Sequence, residues 1–138
     1  MATRIPDAAQ NAAVDAVVDR ADLGAGAATI KIYTGAQPAD ADTDPAGTLL
    51  VTITCADPAF GAAAAGVAAL AGTPRSGTAA AAGTAGCFAI EDSVGVNILQ
   101  GSVTATAGGG DIELDNTSIA AAQTVNITAL AVTIPASE

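Results

Sequence analysis

The chain has 138 residues, of which 37 are alanine and 29 are Leu, Ile, Val or Phe, so an apolar fraction of 51% overstates the large side chains available for a core. That length predicts one domain, built from branched aliphatics and small residues, in which subunit contacts supplement a thin core. Four basic against 14 acidic residues leave a net charge of −10, which excludes a nucleic-acid binder, and the lack of histidine removes the commonest general base and metal ligand.

The first residues, MATRIPDAAQ, contain no apolar run of the kind that marks a secretory signal. From Asp7 to about Ala21 the spacing predicts a helix: Ala13, Val14, Val17, Val18 and Ala21 share one face, and Asn11, Asp15, Asp19 and Asp22 lie away from it. Pro6 and Asp7 suit its first turn, and Gly24 and Gly26 stop it. Residues 1–24 therefore read as a helical arm or a cap on the remainder, and residues 25–138 as a β-sandwich domain.

From Thr29 the period changes to two. Ile30 and Ile32 alternate with Lys31 and Tyr33, and a loop from Gly35 to Gly47 leads to a strand over Thr48–Cys55. Ala62–Ala71 has helical propensity, but Gly61, Gly66 and Gly72 interrupt it, and an extended strand is the expectation, as it is for Ser76–Gly86. Cys87–Glu91 and Val96–Val103 flank Asp92-Ser93-Val94-Gly95 as a hairpin. Gly108–Asp111 reads as another hairpin connection, followed by short strands at Ile112–Leu114 and Thr117–Ile119. Thr124–Ile134 is expected to be the longest strand; its parity slips near Ala129-Leu130, as a bulge that re-aims its second half would require. The sum is an all-β chain, an antiparallel β-sandwich of jelly-roll-like form with a short N-terminal helix.

Few groups suggest chemistry. Asp40, Asp42 and Asp44 mimic the start of a calcium loop, but Pro45 stands where its glycine belongs and Val51 where its glutamate belongs, so a solvated turn is expected and no metal. The three glycines before Asp111 lack the lysine and hydroxyl of a phosphate loop. Glu91, Asp92, Asp111, Glu113 and Asp115 read as structural carboxylates at strand ends. Cys55 and Cys87 are either a disulfide or two buried thiols, with the thiols favoured. Pro58–Pro74 is too short and too rich in Ala and Gly to span a bilayer. Neither catalytic residues nor a cofactor is expected, and Tyr33 is either an interface anchor or a cover for the outer sheet face.

The string Thr29-Ile-Lys-Ile-Tyr-Thr-Gly-Ala-Gln-Pro38, with Gly47-Thr-Leu-Leu50, Asp57-Pro-Ala-Phe-Gly61, Gly83-Thr-Ala-Gly86, Gly108-Gly-Gly-Asp111 and Val132-Thr-Ile-Pro135, resembles small virion proteins of tailed bacteriophages. The resemblance implies a capsid decoration, or cement, protein: a small β-rich subunit, often trimeric, on the outside of a shell of HK97-type major capsid protein. It implies contacts with neighbouring subunits through the arm, for which Arg4, Ile5, Pro6, Val14 and Val17 are the candidates, together with Tyr33. A tail-tube, tail-terminator or fibre-associated protein is the first alternative, and a carbohydrate-binding adhesive module the second. No nucleic-acid or membrane partner is expected.

Overall fold

The computed structural model describes residues 3–134. Pro6 stands at the cap of α1 (Asp7–Val18), which tightens into a 3-10 turn over Asp19–Asp22. Ten strands follow among the described residues: β1 (Thr29–Thr34), β2 (Leu49–Thr54), β3 (Val67–Ala69), β4 (Arg75–Thr78), β5 (Gly83–Glu91), β6 (Asn97–Ala105), β7 (Ile112–Leu114), β8 (Ser118–Ile119), β9 (Thr124–Ile127) and β10 (Ala131–Thr133). The alternation read along β1 is real: Ile30 and Ile32 are buried, whereas Thr29, Lys31 and Tyr33 are half-buried.

The main sheet runs β2-β1-β5-β6-β7, with β8 on the far end of β5. β3 pairs with β10, and β4 with β9, each antiparallel. The sheet is curled, and β4 lies close against β2: a Cβ on Gly77 would lie 2.7 Å from the Thr52 carbonyl oxygen. One apolar cluster joins Ile30, Ile32, Val51, Ile53, Phe88 and Ile90 of the main sheet to Val14, Val18, Ala68, Val125, Ile127 and Leu130. The fold is all-β and sandwich-like with one short N-terminal helix, as its patterning predicts.

Several elements differ from expectation. Of the two readings of the helix, an arm or a cap, the packing is that of a cap, because Val14, Val18 and Ala21 belong to the common core. Ala13, expected on the apolar face, is exposed, and Gln10 is buried in that stripe, its amide donating to the Ile5 carbonyl at 2.6 Å. The polar side is not simply solvated either. Asn11 accepts from Gly66 N–H at 2.8 Å, Asp15 from Ala63 N–H at 2.8 Å and Asp22 from Ala59 N–H at 2.7 Å. These three amides sit in a segment with little sheet pairing, and a backbone donor without a partner is costly to bury.

That segment is the alanine-rich one. Its single extended strand is instead a small hairpin, in which Ala64 and Val67 exchange both backbone hydrogen bonds around Ala65 (φ 50°) and Gly66 (φ 74°). Two successive positive φ values are those of a type I′ two-residue hairpin turn. Gly66 is also a close approach, since a Cβ there would lie 2.7 Å from both the Gln10 side-chain oxygen and the Ile134 carbonyl oxygen.

The chain between β6 and β7 is no hairpin, because the two strands run parallel, Val103 opposite Ile112. Residues 106–111 double back over Thr104, whose side chain would meet a Cβ on Gly108 at 2.7 Å and on Gly110 at 2.8 Å. Only glycine permits so short a reversal. The slip near Ala129-Leu130 is larger than a bulge: it divides the segment into β9 and β10, which belong to different strand pairs.

Candidate functional site

Of the six partner-contact candidates, Arg4, Ile5 and Pro6 are exposed together ahead of the helix, Val17 is half-buried, and Tyr33 is half-buried on the outer face of β1. Val14 is fully buried. A side chain with no accessible surface cannot touch a partner, so Val14 is a core residue, and its helical spacing with Val18 signals packing.

The outer sheet face is a polar layer beneath the loop between β1 and β2. Lys31 and Glu91 form an ion pair at 2.6 Å. The Glu91 hydrogen bond raises the Lys31 pKa above its ordinary value, and burial raises that of Tyr33. From β6, Asn97 donates its amide to Ala41 O at 3.0 Å and Gln100 donates to Thr43 O at 2.8 Å, which ties the acidic loop down. The amide oxygens of both residues are buried without a partner among the described residues. Sequence reasoning passed over Asn97 and Gln100, and their odd spacing on β6, which a regular strand would turn to opposite faces, hides that both reach the same loop across the register shift beside Asn97.

The carboxylates singled out in the sequence act on backbone. Asp92, almost wholly buried, accepts from Val94 N–H at 3.0 Å and Val96 N–H at 2.9 Å and so shapes the hairpin turn. Asp111 Oδ2 accepts from both the amide and the hydroxyl of Ser102 at 2.8 Å. Glu113 accepts from the amides of Ala107 and Gly109. Asp40 accepts from Asp42 N–H at 3.0 Å within an exposed turn. Among the described residues, no group of three His, Cys, Asp or Glu side chains is placed to share a metal ion. Cys55 and Cys87 are free, buried thiols. Burial pushes Cys55 up to about 11 and also raises Cys87.

Two adjoining cavities lie beside β10, one against the β6–β7 connection and β7 and one against β6. A cavity of about 410 Å³ is walled by Leu70, Asp111, Glu113, Leu130 and Ala131, among others. A second of about 190 Å³ adjoins it, sharing Asp111, Leu130 and Ala131 and bounded further by Phe88, Leu99, Gln100 and Thr133. The smaller cavity is bordered by residues of both β6 and β10. Among the described residues, no helix is long and apolar enough to cross a membrane. No protein family, curated protein or solved structure matches the chain.

Proposed function

We propose that this chain is a non-enzymatic structural protein of a tailed-phage virion, a decoration protein that binds the outer surface of an HK97-type capsid shell and stabilises it. The motif string from Thr29 to Pro135 underlies the reading. The observation that supports it best is the use made of the polar side chains. Asp15, Asp22, Asp92, Asp111 and Glu113 accept hydrogen bonds from backbone amides, holding a rigid acidic scaffold in place of a reaction centre. An exterior of this charge is repelled by packaged DNA and is free to meet protein.

Decoration would act by multivalency. Several modest contacts per oligomer, a trimer in this reading, raise the effective concentration of each further contact and reinforce the shell without one high-affinity site. Arg4, Ile5 and Pro6, exposed at the start of the helix, and Tyr33 are the contacts we assign to neighbours. The test is cryo-electron microscopy of assembled particles containing this subunit. Trimeric density of this fold on the outer shell is the expected outcome; density in the tail would transfer the fold to a tail role, and absence from the particle would overturn a virion role altogether.

A further inference from the structure

We propose that the cleft between β6 and β10 is a strand-addition site for an extended, basic segment of another polypeptide. This inference does not depend on the decoration role, since it rests on backbone direction and on charge.

Ser102 N–H bonds to the Asp111 side chain and therefore points away from β5. The two-residue period of an extended strand then turns the backbone N–H and C=O of Gln100 to the same open side. β7 pairs with β6 only from Val103 to Ala105, and among the described residues no strand covers the Gln100 side. On the opposite wall, Leu130 C=O accepts from Leu70 N–H and Ile134 N–H donates to Gly66 C=O, so the even-numbered residues face the β3 hairpin. Ala131 and Thr133 accordingly present their backbone groups to the other side. Gln100, Ala131 and Thr133 all border the smaller cavity, which places two unpaired strand edges across one space.

Natural sheets protect edges that must stay unpaired with Lys, Pro or a bulge. Neither Gln100-Gly101 nor Ala131-Val132-Thr133 carries Lys or Pro. The space between them also has apolar walls, Phe88, Leu99, Leu130 and Val132, suited to alternate side chains of an inserted strand.

Charge selects the occupant. Asp111 and Glu113 stand in the cleft and no Lys or Arg lines either cavity. Asp111 uses one oxygen for Ser102 and leaves the other for a ligand. Lys31 is paired with Glu91, and Arg75 donates to Thr54 C=O, so neither is placed to neutralise the cleft. A second copy of this chain brings another net charge of −10, whereas a segment bearing lysine or arginine gains at the wall that carries Asp111 and Glu113.

The test is an NMR titration of the full chain with blocked peptides of about six residues, a typical strand length. One peptide alternates valine with lysine, and the other valine with glutamate. The lysine peptide is expected to shift the amides of Gln100, Ala131 and Thr133, and the glutamate peptide to leave them unmoved. Ala131→Pro, which deletes an outward N–H, should weaken binding about tenfold, as loss of one hydrogen bond predicts. Asp111→Asn, which keeps an acceptor for Ser102, should erode the preference for lysine. The lysine peptide N-methylated on alternate residues tests the same edge with the protein unchanged and should not bind. Absence of shifts with the lysine peptide, shifts confined to another surface, equal binding of the glutamate peptide, or undiminished binding after N-methylation would each overturn the proposal.

Discussion

Asp15 shows how much a single carboxylate does in this chain. It stands on the polar side of an amphipathic helix, where solvent exposure is the ordinary expectation, yet it receives the Ala63 amide at 2.8 Å. Asp15→Ala leaves that donor without a partner and should cost about 1–2 kcal/mol in urea unfolding. Asp92→Ala, which strands two amides beside a buried side chain, should cost more, about 2–3 kcal/mol. The titrating groups set a pH limit. Cys55, Cys87, Tyr33 and Lys31 all hold their protons to higher pH folded than unfolded, the thiols and the phenol through burial and the lysine chiefly through Glu91. The folded state then binds more protons than the unfolded chain, so stability is complete below the ordinary pKa values and falls as pH rises past them. The decline should begin near the ordinary thiol value of 9.0 and, for Cys55, run to about 11. Urea midpoints measured from neutral pH upward should show it, and the double variant Cys55→Ala with Cys87→Ala should delay its onset toward 10.0, the ordinary phenol value from which Tyr33 is raised.

Among the elements, the helix has the clearest consequence. Val14, Val18 and Ala21 enter the common core, and Asn11, Asp15 and Asp22 accept the amides of Gly66, Ala63 and Ala59, so removal of residues 1–23 should unfold or severely destabilise the β domain, seen as loss of the cooperative thermal transition. A separable arm would leave that transition intact. β5 depends on glycine as well: a Cβ on Gly86 would collide with the Gly35 carbonyl, beside the register shift at Tyr33/Thr34. Gly86→Ala should therefore destabilise by about 1–3 kcal/mol, the usual range for overpacking, in the same unfolding measurement. Of these elements, α1, β1, β2 and the β5–β6 hairpin were legible in sequence because their period and turn residues are local. The β3 hairpin was not, since alanine packs on any surface and marks no face. The parallel return from β6 to β7 was equally hidden, because three glycines state that the chain can turn without stating where it goes.

For the whole molecule, charge governs association. At −10 with one ion pair among the described residues, copies repel one another at low salt. The homo-oligomer of the proposed function should thus strengthen as salt screens that repulsion, and sedimentation at low and high ionic strength is the measurement; a monomer at micromolar concentration in both would contradict it. Acidity, alanine content and the two-residue period from Thr29 onward determined by themselves an acidic, mostly β fold with a short helix ahead of its strands. Only the tertiary structure decided that the helix is core, that Val14 is inaccessible while Asn11, Asp15 and Asp22 are backbone acceptors, and that the edges of β6 and β10 meet across a cleft. The physical reason is that hydrophobic periodicity reports which way a side chain points within its own element, whereas a backbone amide finds its acceptor, and an open edge its neighbour, only when segments distant in sequence are brought together.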